Sequence, residues 1–252
     1  MVSVFSQQNY LVRLEWGREG VGLLAADCRV VVIVDVLSFC TAVDVAVTRG
    51  AAVLPLAWRE PAAVPEGAVL AGRRGSSSWS LSPSSLLDIP AGTRLALPSP
   101  NGATLSVSAA THGATVLAAC LRNASAVATA ALACRADGAI GVVPAGERWP
   151  GDGLRPAIED LLGAGAVVAA LARHGVGPCS PEALAAADAF EAALRRGLAD
   201  ALVACSSGRE LAVGGFGADV ALAAERDVSG AAPVLDNGES GLCYGAFSAG
   251  AR

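Results

Sequence analysis

The chain has 252 residues, a formal net charge of −5 and a sequence pI near 5.1, with no basic stripe and no interleaving of aromatic and basic residues, which argues against nucleic acid as a partner. Its hydrophobic fraction is 53 % and its mean hydropathy +0.51, much of it from alanine and valine. No apolar run reaches the roughly 18–20 residues of a membrane span; Leu161 to Ala172 comes nearest, interrupted by Gly163 and Gly165, and reads as a buried helix.

The start, MVSVFSQQNYLVRLEWGREG, lacks a basic segment followed by an apolar one, so no secretory signal is read and a cytoplasmic protein is expected. Seven scattered cysteines without a C-x-x-C pair read as buried free thiols, not as a zinc site or redox dithiol. Leu11 to Trp16 alternates like a strand with one exposed face, and Val21 to Asp27 suits a short helix. Val31 to Val34 is an unbroken β-branched run, as in a strand covered on both faces, and it stops at Asp35. Ser38 and Thr41 can accept N–H groups at a helix start, Val43, Ala46 and Val47 recur at helical spacing, and Gly50 stands where a helix would end. With Ala52 to Leu56 apolar again, this predicts a βαβ unit with a right-handed crossover. Asp35 would then lie at the carboxyl edge of an open α/β sheet, where ligands bind.

Glu60 to Gly67 reads as a loop, Val69 to Gly72 as a short strand, and the serine-rich Arg73 to Asp88 as a long functional loop. The strand–polar turn–helix pattern then recurs: Thr93 to Leu97 before Ser99 and Asn101, Thr115 to Ala119 before Arg122 and Asn123, and Ala139 to Val143 before Glu147 and Arg148. Helices follow to Ala110, over Ser125 to Arg135 and over Pro156 to His174. The four polar turns are expected on one sheet edge. Alanine-rich helices over Pro181 to Leu194, Leu198 to Cys205 and Ala218 to Arg226 follow, then a last strand over Ala231 to Leu235 and a turn at Asp236-Asn237-Gly238. The expected fold is a single three-layer α/β/α domain with a largely parallel or mixed central sheet, the helical part from about residue 180 packed on the same core.

Asp35 suits either a magnesium ligand or a helix N-cap. Ser99-Pro100-Asn101-Gly102 before a helix is a plausible phosphate cradle, though neither a Walker A loop nor G-x-G-x-x-G. Glu147, Glu159 and Asp160 form an acidic set; neighbours on a helix point about 100° apart, so at most one of Glu159 and Asp160 is expected to face a site. Arg73, Arg74 and Arg122 can neutralise an anionic substrate, or be ordinary surface residues. Arg173-His174-Gly175 spells a histidine-phosphatase tripeptide but closes a helix, so a C-cap is read there. No C-x5-R loop, D-x-D or G-x-S-x-G is present, which leaves no common covalent nucleophile.

In order along the chain, VIVDVLSFCTAVDVAVTRGA, SPNGATL, LRNASAVA, PAGERWPGDGLRPAIEDLLGAGAVV and SSGRELAVGGFGADVALAAERDVSGAAPV resemble the 2-phosphosulfolactate phosphatase family, from about Val31 to Val234. The resemblance implies an α/β fold and a Mg²⁺-dependent phosphatase acting on the phosphate ester of a sulfonated lactate, in coenzyme M synthesis where that pathway exists. Asp35, Thr41, Asn101 with Gly102, Asn123, Gly146 and Glu159-Asp160 match family positions. Ser38 stands where the family usually has arginine, Arg73 where it has glutamate, and Leu81-Ser82-Pro83 where it tends to show Asn-Ser-Pro. Arg73 is expected to restore the positive charge missing at Ser38.

The site expected from all this has Asp35 and Glu147 as catalytic groups. Asp35, Glu159 and Asp160 would hold Mg²⁺, and Ser38, Thr41, Arg73, Ser99, Asn101, Gly102, Arg122 and Asn123 the phosphorylated substrate. The expected partner is a small anionic phosphorylated substrate, with no nucleic acid and no membrane, and a homodimer is the assembly to test for. A non-catalytic small-anion-binding protein on the same scaffold is the alternative.

Overall fold

The β-branched run after Arg29 forms the centre of the fold. A computed structural model of the chain describes residues 4–57, 64–238 and 241–248. Strand β1 (Val12–Leu14) and helix α1 (Gly17–Ala25) precede strand β2 (Val30–Val34), which is buried along its whole length. Helix α2 (Phe39–Thr48) and strands β3 (Ala52–Ala57) and β4 (Val69–Leu70) follow. Then come β5 (Arg94–Ser99), α3 (Gly102–Ala110), β6 (Thr115–Ala119), α4 (Ala124–Arg135) and β7 (Ile140–Pro144). A small hairpin, β8 (Glu147–Arg148) and β9 (Leu154–Arg155), leads into α5 (Ile158–Arg173). Helices α6 (Pro181–Arg196), α7 (Leu198–Ala204), α8 (Ser206–Val213) and α9 (Gly217–Ala223) precede strands β10 (Pro233–Gly238) and β11 (Gly241–Ala246).

Among the described residues, nine strands make one sheet in the order β1-β7-β2-β6-β10-β11-β3-β5-β4. Helices α1 to α3 cover one face, where Leu24, Phe39, Val43 and Leu105 join Ile33 and Leu95 in one core. Helices α4 to α7 and α9 cover the other, where Val127, Val167, Phe190, Leu202 and Val220 pack with Val32 and Val142. The architecture is therefore three-layer α/β/α with a mixed sheet, and the C-terminal helices share the second core. Helices α5 and α6 pack almost backbone to backbone. A Cβ on Gly165 would stand 2.0 Å from the Ala186 carbonyl oxygen, so only glycine permits that approach.

Two expectations about the sheet do not hold. Strands β2 and β3 are not paired: the β10–β11 hairpin lies between their groups, through antiparallel β6–β10, β10–β11 and β11–β3 contacts. Three reversals turn β3, β5 and β4 opposite in sense to β1, β7, β2 and β6, so no parallel βαβ unit forms over residues 31–56, although the turn after β5 still meets the end of β2, as the expectation of a shared edge requires. The last strand also extends past Leu235. Asp236-Asn237-Gly238 is strand rather than turn, because β11 pairs with it through Gly238↔Gly241.

Smaller differences have local causes. The 11–16 strand shortens to β1, and all of its residues are buried because α6 packs over it. The 73–88 loop contains a 3₁₀ turn over Pro83–Leu86. Part of the loop expected over residues 60–67 lies outside the described residues. Among the described residues, no helix is long and apolar enough to cross a membrane.

Candidate active site

Four carboxylates gather where β2 and β7 end side by side. These strands pair in parallel to Val34↔Pro144, so Asp35 and the loop carrying Glu147 leave the sheet together. Asp160, in the first turn of α5, joins the two loops: its Oδ1 accepts the Val36 N–H at 2.7 Å and its Oδ2 the Gly146 N–H at 2.9 Å. Gly146 has φ +67°, and a Cβ there would meet Leu154 at 2.6 Å, so the chain bends tightly enough to reach Asp160. Asp35 does the same for two helix starts. Its Oδ1 accepts the Phe39 N–H of α2 at 3.0 Å and its Oδ2 the Gly102 N–H of α3 at 2.8 Å. Although β5 runs in the opposite sense, the turn between β5 and α3 reaches both Asp35, through the Gly102 N–H, and Glu147, through Asn101.

Negative charge accumulates there with few cations. Asp35, Glu159 and Asp160 are only 5 %, 2 % and 4 % exposed. Burial raises the Asp35 carboxyl above its ordinary value; the Gly102 and Phe39 N–H groups oppose this, Glu159 adds to it and Arg74 opposes it. Burial, then Asp35 and Glu159, hold Asp160 well above its ordinary value. Glu147 is pushed up to about 7 by burial and then by Asp35, against the hydrogen bond from Asn101 Nδ2 at 2.9 Å. The N-termini of α2, α3 and α5 supply partial positive charge, which makes the cluster tolerable. Burial also raises Cys40 and Cys120, so neither thiol is a thiolate nucleophile.

Arg74 reaches the cluster from the serine-rich loop, beside Arg155, whose charge acts on Glu147. It donates through Nη2 to Ser38 Oγ at 2.8 Å and through Nη1 to Asp219 Oδ2 at 3.0 Å, and its guanidinium stands 5.6 Å from the Phe216 ring centre. Asp219 is fully buried on α9 and also accepts from Ser82 Oγ, Ser84 Oγ and Ser84 N–H, which fastens the serine-rich loop. Arg155 pairs in register with Glu147 across the β8–β9 hairpin and bonds Ser207 at 3.2 Å, while Arg148 reaches Asn101 Oδ1 at 3.4 Å. A cavity of about 200 Å³ opens beside Asn101 and Glu147, and one of about 420 Å³ adjoins it, sharing Arg18, Leu105, Arg148 and Asp152. Asp35, Glu159 and Asp160 line neither; Glu147 is the member of the cluster at the cavity wall.

The family model of 2-phosphosulpholactate phosphatase matches residues 23–238, nearly the whole chain. The chain belongs to the 2-phosphosulpholactate phosphatase family. Membership indicates a phosphatase, a phosphoric monoester hydrolase. No curated protein matches the chain. The matched span contains all four clustered carboxylates and Arg74, whereas Arg18 precedes it.

Within this family frame, several residues expected at the phosphate are engaged elsewhere. Arg73 is exposed, and its neighbour Arg74 makes the contact with Ser38, because the loop turns at Gly75 with φ +74°. Arg122 bonds Asp44 Oδ2 at 2.9 Å and pairs with Glu225, which directs it toward α9. Asn123 is buried and closes its own turn, accepting from Cys120 N–H at 2.9 Å. Thr41 is buried and donates to the Val36 carbonyl, and Ser99 Oγ accepts the Asn101 N–H. The Gly102 N–H belongs to Asp35, so the expected phosphate cradle of free N–H groups is closed internally. Glu159 and Asp160 are both buried; Asp160 bonds the Val36 and Gly146 N–H groups, while Glu159 interacts with Cys205 between α7 and α8. His174 stands at the C-cap of α5, as its spacing implied.

Magnesium can be tested against this donor set. Among the described residues, no three His, Cys, Asp or Glu side chains form a ready-made cage. Magnesium does not require one: it takes one or two carboxylates and completes its shell with water and substrate oxygens. Asp35 and Asp160 have each committed two of about four lone-pair sites to N–H groups, which leaves acceptor capacity on both. An all-oxygen set of mutually repelling carboxylates suits a hard divalent cation, so the residues fit.

Proposed function

We propose that the chain hydrolyses a small phosphorylated carboxylate or sulfonate, with 2-phosphosulfolactate as the first substrate to test and Mg²⁺ as the cofactor. One observation carries the reading: carboxylates from the β2 end, the β7 loop and α5 converge beside Asn101 and Arg74, with Glu147 at the wall of a cavity. Asp35 and Asp160, rather than all three buried carboxylates, would hold the ion, which when bound offsets phosphoryl charge and acidifies water.

The remaining chemistry belongs to the chain. Arg74 supplies positive charge from the Ser38 side. Asn101 orients the Glu147 carboxyl by donating to Oε2 and takes a bond from Arg148 on its own oxygen. Glu147, titrating close to neutrality, can take a proton from the attacking water and return it to the leaving alcohol. A cytoplasmic, homodimeric enzyme remains part of the proposal.

The internal closure of the Gly102 N–H, together with serine at position 38, favours the second reading, a non-catalytic anion-binding protein on the same scaffold. Phosphate release from a panel of phospho-acids, with and without Mg²⁺, separates the two. The proposal predicts release that requires Mg²⁺; release from no member of the panel, with retained anion affinity, supports the second reading instead.

A further inference from the structure

The larger cavity has a different character from the acidic one beside it. Its charged lining residues are Arg18, Arg148 and Asp152, with Ala57, Thr104 and Val107 among its walls. Arg148 is already committed: it donates to Asp152 Oδ1 at 2.7 Å, to the Pro100 carbonyl at 3.3 Å and to Asn101 at 3.4 Å. Asp152 is likewise paired by that contact. Arg18, on the exposed side of α1, has no hydrogen-bond or ion-pair partner among the described residues. It lines both cavities, so a ligand passing from one to the other passes its guanidinium. Both cavities share Arg18, but the smaller one adds Glu19 and Glu147, so an acidic tail meets that cation with less competing negative charge on the side of the larger cavity.

Size points the same way. About 420 Å³ adjoining about 200 Å³ is the scale of sites that take whole organic ligands, more than a three-carbon acid fills. Guanidinium recognises carboxylate and sulfonate through paired N–H donors, and a charge-assisted bond outweighs a neutral one.

We infer that the larger cavity takes the acidic tail of a phosphorylated acid longer than three carbons, and that Arg18 is the residue that selects for that acid. The inference rests on the proposed reading, which places the phosphate at Glu147.

A matched pair of probes tests it: 6-phosphogluconate and glucitol 6-phosphate, which differ in a carboxylate against a hydroxymethyl group. Affinities are measured by titration calorimetry on the full chain, with calcium replacing magnesium to slow turnover. The wild type should prefer the acid by about tenfold, the worth of one charge-assisted hydrogen bond. Arg18→Ala should bring the two ligands to within about twofold of each other. An unchanged preference in Arg18→Ala, no preference in the wild type, or no binding of either compound overturns the inference. Phosphate release in Mg²⁺ is scored separately. A preference that depends on Arg18 without any release contradicts the phosphatase reading and supports the tail site, while release with a preference indifferent to Arg18 does the reverse.

Discussion

Glu147 shows how a single side chain records its surroundings. Its carboxyl is raised to about 7 from an ordinary 4.5, first by burial and then by Asp35. The folded chain therefore binds this proton more tightly than the unfolded chain does. The resulting stability is fully present below pH 4.5 and is lost as pH rises through 7. In metal-free buffer, Glu147→Gln should leave stability near pH 5 little changed and raise it at pH 8, by an amount on the order of 2 kcal/mol. Denaturant unfolding of the two proteins at both pH values checks this; an equal difference at pH 5 and pH 8 contradicts it. At this scale the sequence was partly legible. Asp35, Glu147, Glu159 and Asp160 declare themselves by following strands or opening a helix. Arg74 does not, because adjacent arginines in a loop carry no periodicity, and only the turn at Gly75 decides which one faces Ser38.

Among elements, α9 and the serine-rich loop act as one. Asp219 collects donors from Arg74, Ser82 and Ser84 while fully buried, so α9 fixes both the loop and the direction of the guanidinium. Local sequence gives no sign of this, since an aspartate in the first turn of a short helix reads as a favourable helix start. If Asp219 acts through Arg74, Asp219→Asn and Arg74→Ala should each raise KM, and the double variant should be no worse than Arg74→Ala alone. The coupling expected for groups in one network is about 1–3 kcal/mol. Strict additivity in the double-mutant cycle contradicts the arrangement. The same close packing hid the role of the α5 start: Glu159 and Asp160 diverge on the helix, yet both are buried, Asp160 against the ends of β2 and β7 and Glu159 against Cys205 between α7 and α8.

Across the whole molecule, the helices and most strands were readable from apolar period and from Gly and Pro boundaries, but the direction of half the sheet was not. A strand carries its burial in its own residues; its sense depends on what pairs beside it. Here the pairing partners are β10 and β11, from the end of the chain, inserted between β6 and β3. Tyr244 of β11 is fully buried, donates to Ser106 Oγ at 2.7 Å and meets Phe39 edge-on, so the hairpin also locks α2 and α3. A chain ended after residue 230 would expose the edges of both half-sheets and should lose its cooperative thermal transition. A transition unchanged from that of the full chain would show that the hairpin is dispensable.

All of this converges on Asp35, which ties two helix starts together at the end of the central strand and stands within the charge cluster. The most direct measurement is the rate of phosphate release from 2-phosphosulfolactate by Asp35→Asn in saturating Mg²⁺, beside its thermal transition. The asparagine relieves buried charge but keeps only one of the two acceptors, so the transition should fall yet stay cooperative, while the rate falls at least about a hundredfold. A well-folded Asp35→Asn enzyme with the wild-type rate would contradict the account.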